Sequence, residues 1–93
     1  MEVKTIDRKF KNKARENLAN NVLSMRYERE WSQEELAELS NSSRNYISDI
    51  ELGKRNVSID FLYNISKIFG VPCYKMLKES PKVVNKGRVD SKK

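Results

Sequence analysis

The chain of 93 residues has no histidine and a single cysteine, Cys73. Structural zinc sites need several Cys or His ligands, and a disulfide within one chain needs two cysteines. Ser-His and Cys-His nucleophile pairs need a histidine as their base. The composition therefore predicts no metal site, no internal disulfide and no enzyme of these classes. One free cysteine is also typical of a cytoplasmic protein.

Glycine and long apolar runs are scarce as well. With three glycines, the chain has no Gly-rich loop of the kind that cradles phosphates in NTPases. No apolar run approaches the roughly 20 residues that span a bilayer, and the first residues do not form an apolar signal region. We therefore expect a cytoplasmic protein that has no cofactor, no membrane span and no catalytic site.

Charge is distributed unevenly along the chain. The net charge is +6, from 19 Lys and Arg against 13 Asp and Glu. Residues 1–14 and residues 79–93 each hold five basic and two acidic side chains, whereas the intervening stretch holds nine of each. Helical apolar periodicity sufficient for a small core extends over residues 14–78. We predict an all-α domain there, with a basic arm or helix extension over 1–13 and a basic disordered tail over 79–93.

The segment 32–53, SQEELAELSNSSRNYISDIELG, predicts two short helices joined by a tight turn. Ser32 followed three residues later by Glu35 forms a capping box, which begins the first helix. Asn41 tolerates a left-handed backbone conformation, and this allows the chain to turn sharply. We expect the apolar face of this helix to consist of Leu36, Ala37 and Leu39.

The second helix of this pair is predicted to begin after Ser42 or Ser43 and to end at Gly53. Ile47 and Ile50 are three residues apart and form its buried side. The opposite side carries short hydrogen-bonding groups and an arginine at the N-terminal end, as in a helix that contacts base edges in the major groove of DNA. The predicted base contacts are Ser43, Arg44, Asn45, Tyr46, Ser48 and Asp49.

Two of these predictions have ordinary alternatives. Arg44 is also compatible with a solvated surface charge, and Tyr46 with packing on the core. The run Lys54-Arg55-Asn56 after the helix predicts a phosphate clamp that positions the helix without reading sequence, or else a solvated loop.

The C-terminal half predicts more apolar surface than a small core needs. Ser58 begins a fourth helix that Gly70 ends, and residues 73–78 predict a short fifth helix. Because an uncovered apolar patch favours association, we expect a homodimer, although these residues are also compatible with simply capping a small core. The predicted dimer interface consists of Phe61, Tyr74, Met76 and Leu77.

From Arg26 to about Leu77 the sequence resembles the phage-repressor type of helix-turn-helix domain, through the motifs SQEELA, YISDIE and GKRN. The resemblance implies a lambda-repressor-like fold, a compact bundle of about five helices. Within that family the chain is most similar to the controller proteins of restriction-modification systems. Such proteins are short dimeric transcription factors that bind operators upstream of their own gene and of the endonuclease gene, activating first and repressing later.

The resemblance also implies roles for individual residues. It implies an ion pair, chiefly in an architectural role, between Arg26, near the end of an earlier helix that runs to about Arg29, and Glu51, at the end of the helix that carries the predicted base contacts (the recognition helix). The chain departs from the family pattern at Asn41, where Gly is common, and at Leu52, where a polar residue is frequent. The expected phosphate contacts are Ser32, Gln33, Lys54, Arg55 and Asn56.

The predicted function is therefore a sequence-specific, double-stranded-DNA-binding transcription regulator of the controller type. A phage or plasmid repressor, or the DNA-binding antitoxin of a toxin pair, is an alternative with the same contacts. A protein-interaction module that has lost DNA binding is a third, but it predicts an acidic or apolar outward face on residues 43–49. Activation requires contact with RNA polymerase, and the candidate surface is the acidic side of the helix that begins after Ser32, formed by Glu34, Glu35 and Glu38.

Overall fold

In the computed structural model, which describes residues 12–79, the chain consists of four α-helices and a final 3-10 turn. No strand occurs within these residues, so the predicted all-α class is confirmed for them. None of their helices has both the length and the apolar character needed to cross a membrane. The elements are α1 (Lys13–Glu28), α2 (Gln33–Leu39), α3 (Arg44–Glu51), α4 (Ile59–Phe69) and the 3-10 turn Cys73–Met76.

The predicted count of five helices is not confirmed. After Pro72 the Lys75 N–H bonds to the Pro72 carbonyl at 3.0 Å and the Leu77 N–H to the Tyr74 carbonyl at 3.1 Å. These are i to i+3 bonds, so the expected fifth helix is a single 3-10 turn. The predictions for the basic arm and the tail lie outside the described residues, apart from positions 12, 13 and 79.

Each α-helix begins at a side chain that caps its first turn. The capping oxygens accept the N–H three residues later at 2.9 to 3.0 Å. In α2 the Glu35 carboxylate also accepts the Ser32 N–H at 2.7 Å, which confirms the predicted capping box. Of the two candidates before α3, Ser43 is the cap. The four caps are Asn12, Ser32, Ser43 and Ser58.

Each α-helix also stops in the same way, at a residue with positive φ. In α3, for example, the Gly53 N–H bonds to the Ile50 carbonyl at 3.0 Å and the Lys54 N–H to the Asp49 carbonyl at 2.8 Å, the pattern of a Schellman motif. The left-handed conformation of Asn41 and the helix ends at Gly53 and Gly70 were all predicted. The four residues are Glu30 (φ 57°), Asn41 (57°), Gly53 (78°) and Gly70 (76°).

The core lies between α1, α3 and α4, and α2 covers one side of α3. Leu39 was expected on the buried face of α2, but it is exposed. Leu36, Ala37 and Ser40 occupy the buried stripe instead, at i, i+1 and i+4, and Leu39 lies outside this stripe, beyond Leu36 on the side away from Ala37. The buried apolar cluster consists of Leu18, Val22, Leu36, Ala37, Ile47, Ile50, Leu62, Ile65, Phe69 and Met76.

The 3-10 turn is tied to α1 by two asparagine amides. Asn21 Nδ2 donates to the Met76 carbonyl and to the Lys78 carbonyl, both at 2.8 Å, and Asn17 Nδ2 donates to the Leu77 carbonyl at 2.9 Å. These bonds hold the turn against α1 with the Met76 side chain inside the core, where it is fully buried. The prediction that Met76 forms part of a dimer interface is therefore wrong.

Candidate nucleic-acid interface

Helices α2 and α3 are joined by the four residues 40–43, and hydrogen bonds hold this turn in one conformation. The Ser40 hydroxyl donates to the Leu36 carbonyl at 2.8 Å and lies 2.8 Å from the Ser42 hydroxyl. The Ser42 N–H bonds to the Ala37 carbonyl, also at 2.8 Å. Because the turn is bonded back to α2 at several points, the direction of α3 is set by α2.

Helix α3 has a buried side and an outward side. Ile47 and Ile50 are buried in the core, as predicted. Nothing acidic lies in its first turn, where the partial positive charge of the helix favours an anion. The outward side carries every predicted base contact: Ser43, Arg44 and Asn45 are exposed, and Tyr46, Ser48 and Asp49 are partly buried.

An ion pair anchors the C-terminal end of α3 from behind. Arg26 Nε donates to Glu51 Oε2 at 2.8 Å and Arg26 Nη2 to Glu51 Oε1 at 2.9 Å. The two side chains are only 0% and 6% exposed. Arg26 Nη1 also donates to the Trp31 carbonyl at 2.9 Å, and Gln33 Nε2 donates to Glu51 Oε1 at 2.9 Å. The expected pair is therefore present, and it connects α1, α2 and α3 in one network.

The N-terminus of α2 is the first of the two expected phosphate sites. Gln33 is partly exposed there, but its amide is engaged with Glu51. Ser32 is buried, and its hydroxyl and N–H both serve the capping box. The geometry of Ser32 therefore suits a structural role, and a phosphate contact at this end depends chiefly on Gln33 and on the helix N-terminus itself.

The second expected phosphate site is the loop after α3. Lys54, Arg55 and Asn56 are all exposed. Arg55 is bent back onto α3: its Nη2 lies 3.6 Å from Asp49 Oδ2, and its Cζ lies 4.9 Å from the centre of the Tyr46 ring. The two basic side chains of the loop therefore differ: Arg55 contacts α3, whereas Lys54 is exposed beside it.

Tyr46 takes part in both packing and the outward surface. Its ring meets Phe61 edge-on, with ring centres 5.0 Å apart and planes at 88°. Tyr46 therefore both packs on the core, as one of its two interpretations predicted, and lies beside Arg55.

Sequence reasoning missed the contact between Asp49 and Arg55. The available signal was Gly53, because a glycine that reverses the chain directs the following residues back towards the helix.

The predicted dimer residues occupy different environments. Tyr74 and Leu77 are 65% and 39% exposed, whereas Phe61 is half-buried under Tyr46. Sequence reasoning did not single out Ile59 and Tyr63, which are 74% and 57% exposed on one side of α4. Their spacing of four residues was the available signal, because it places them together outside the buried stripe.

The acidic side chains of α2 face away from the core. Glu34, Glu35 and Glu38 are all exposed, and Glu35 also completes the capping box. Within residues 12–79, His, Cys, Asp and Glu side chains do not gather into a group of three that would suit a metal ion.

Comparison with known proteins places this geometry in context. A model of the helix-turn-helix family matches residues 24–75, more than half of the chain. The chain is 58% identical over 40 residues to the control protein C.BamHI of Bacillus amyloliquefaciens. The aligned segment covers 43% of this chain and about half, 49%, of that protein. It is 40% identical over 63 residues to the control protein C.SmaI of Serratia marcescens, covering 68% of this chain and 75% of that protein. The crystal structure of SinR, a master regulator for biofilm formation, in complex with DNA is similar with a TM-score of 0.61 and 31% identity, covering 66% of this chain and 98% of that one.

Proposed function

Because the chain belongs to the helix-turn-helix family, we propose that it is a sequence-specific DNA-binding transcription regulator of the controller type. The observation that carries this proposal is the outward side of α3. Its short polar groups and one arginine stand on a helix that the buried Arg26–Glu51 pair holds from behind. A rigid helix of this kind fits the major groove of B-DNA, which is about 12 Å wide.

The side chains of α3 suit particular base edges. Arg44, exposed at the N-terminal end, offers the paired donors that suit the O6 and N7 acceptors of guanine. Asn45 suits adenine, which presents one acceptor and one donor. Asp49 accepts a hydrogen bond, and in the major groove the matching donor is the N4 amine of cytosine. Ser43 and Ser48 suit either kind of partner, and the Tyr46 ring suits a thymine methyl group.

Contacts to phosphate position α3 over the bases. Lys54, Arg55 and Asn56 supply them from the loop after α3, and Gln33 supplies them with the N-terminus of α2, which Ser32 caps. The Gln33 amide bonds to Glu51, the last residue of α3, at 2.9 Å, so both sites lie near the C-terminal end of that helix.

A homodimer extends recognition to two half-sites. We place its interface on the exposed Tyr74 and Leu77, with Phe61 at the edge. A two-fold axis then separates the two copies of α3 by about 34–36 Å, one turn of DNA. Leu77→Glu is expected to give monomers in sedimentation experiments, whereas the matched change Ile59→Glu on α4 leaves the dimer intact. The opposite result moves the interface to α4.

For activation we assign the exposed carboxylates of α2 to contact with RNA polymerase. The variant Glu34→Gln with Glu38→Gln leaves the α2 capping box in place, because that box uses Glu35. It is expected to retain DNA affinity and lose activation in transcription assays with purified polymerase. Unchanged activation would remove α2 from this role.

The decisive experiment is selection of bound sequences from a random duplex pool, at a salt concentration that suppresses binding by charge alone. We expect an inverted repeat whose half-sites are separated by one helical turn or a multiple of it. Its position relative to neighbouring genes separates a controller from a phage or plasmid repressor or an antitoxin. If no sequence is enriched, a protein-interaction module becomes the better interpretation.

A further inference from the structure

Arg55 differs from the other predicted phosphate contacts because its guanidinium already rests on α3. It lies 3.6 Å from the Asp49 carboxylate and 4.9 Å from the centre of the Tyr46 ring. Asp49 and Tyr46 are three residues apart and therefore share one edge of the helix. Phe61 holds the Tyr46 ring edge-on at 5.0 Å. Asp49 and Tyr46 thus form a site that holds the guanidinium beside the predicted base contacts.

The backbone brings Arg55 to this site. The hydrogen bonds from Gly53 to Ile50 and from Lys54 to Asp49, at 3.0 and 2.8 Å, fix the chain up to the residue before Arg55. Gly53 has φ 78°, a conformation that glycine adopts without strain. The return of the Arg55 side chain towards Asp49 therefore follows from how α3 ends.

The contact between Arg55 and Asp49 is weak enough for a DNA phosphate to replace it. The separation of 3.6 Å is longer than a hydrogen bond, and the Arg55 and Asp49 side chains are 47% and 34% exposed. Ion pairs of this kind contribute little to stability, so a DNA phosphate competes effectively for the arginine. Releasing Arg55, however, leaves the Asp49 carboxylate facing a surface of phosphates, which is unfavourable unless another donor replaces the arginine.

From this geometry, and on the basis of the proposed function, we infer that Asp49 is a specificity-determining residue that acts through Arg55. On random DNA, Asp49 retains Arg55 and one phosphate contact is not made. On a site that presents a cytosine amine at this position, the carboxylate accepts a hydrogen bond from that amine, and Arg55 moves to a phosphate. Discrimination then comes from withholding a contact on wrong sequences as well as from the base contact itself.

The test is Asp49→Asn, with affinities measured on the selected duplex and on a random duplex over a range of salt. Asparagine has the same shape and still accepts a hydrogen bond through its carbonyl oxygen, but it does not hold the arginine by charge. We expect binding to random DNA to become about two- to fivefold tighter, the range that a half-exposed ion pair allows. The slope of log affinity against log salt on random DNA should steepen by about 0.9, one phosphate contact. The ratio of the affinities for the selected and the random duplex, which measures discrimination, should fall by at least the same factor.

The matched control is Glu16→Gln. Glu16 also has a 34% exposed side chain in an exposed ion pair, with Lys13 at 3.5 Å, and it lies about 15 Å along α1 from Arg26. This variant removes the same charge and opens an exposed ion pair without releasing an arginine at α3, so it measures the effect of losing a surface carboxylate elsewhere in the molecule. A second comparison repeats Asp49→Asn in an Arg55→Ala background, where we expect no effect beyond that of the control.

Two results overturn the inference. If Asp49→Asn and Glu16→Gln change binding to random DNA equally, Asp49 does not withhold Arg55. If Asp49→Asn has its full effect without Arg55, the carboxylate acts directly on phosphates. Failure of the proposed function is a separate outcome, because the selection then enriches no sequence for the wild-type chain, and the inference falls with it. Thermal melting checks that each variant is folded.

Discussion

Helix α3 carries two acidic residues two positions apart, Asp49 and Glu51, and each meets an arginine on a different side of the helix. Glu51 receives Arg26 through two hydrogen bonds of 2.8 and 2.9 Å, with both side chains nearly inaccessible to solvent. Asp49 lies 3.6 Å from Arg55, with both side chains partly exposed. The same pair of chemical groups thus occurs once in the interior and once at the predicted DNA surface.

The comparison shows that burial, rather than residue type, separates an architectural pair from an adjustable one. In the interior, either partner alone would be a charge without compensation, so both must stay in place. At the surface, water and DNA phosphate offer alternatives to either partner, so the pair can open. The interior pair holds α3 in place, whereas the surface pair can open when α3 contacts DNA.

The largest expected effect comes from breaking the interior pair with Glu51→Ala. We expect the free energy of unfolding to fall by about 3–5 kcal/mol, because Arg26 becomes a buried charge without a carboxylate. Urea unfolding followed by circular dichroism measures this loss. The matched change Asp49→Ala should cost less than about 1 kcal/mol. Equal losses in the two variants would mean that burial does not distinguish the pairs.

Replacing both interior partners sharpens the same point. The double variant Arg26→Met with Glu51→Leu should be more stable than Glu51→Ala alone, since no buried charge remains. We expect it to stay roughly 1–3 kcal/mol below the wild type, because Gln33 and the Trp31 carbonyl lose hydrogen-bond partners. The same unfolding experiment applies. If the double variant is no better than the single one, the loss reflects packing rather than charge.

At the surface, Arg44→Ala tests a base contact that has no interior counterpart. We expect a loss of about 1–3 kcal/mol in affinity for the selected duplex, with relaxed preference at one base pair. The free energy of unfolding should change by no more than about 0.5 kcal/mol, because Arg44 is exposed. Binding to a panel of single-base variants of the selected site measures the change. An equal loss on every member of the panel would make Arg44 a phosphate contact.

The smallest expected effect is that of Lys54→Ala, which separates a simple phosphate contact from Arg55. Lys54 is exposed beside Arg55. Its removal should weaken binding to selected and random DNA alike and make the salt slope shallower by about 0.9 on both. Arg55→Ala should instead weaken the selected duplex more than random DNA. Salt titrations of both variants on both duplexes make the comparison, and identical behaviour would remove the distinction between the two residues.

Much of the fold was predictable because its signals are local. The caps at Ser32 and Ser58, the left-handed Asn41 and the helix ends at Gly53 and Gly70 all depend on hydrogen bonds that span three to five residues. The candidate base contacts on α3 followed from periodicity in the same way. Leu39 and Met76 were predicted wrongly, because which of several apolar side chains enters the core depends on the packing of other helices.

The sequence by itself determined where α2 begins, where α3 ends, where α4 begins and ends, which side of α3 is polar, and the family to which the chain belongs. Tertiary structure alone decided that Met76 is interior, that Asn17 and Asn21 hold the final turn, and that Arg55 lies on α3 beside Asp49. The physical reason is the range of the interactions. Caps and turns are satisfied within one helical turn, whereas burial and charge pairing depend on which distant surfaces the fold brings together.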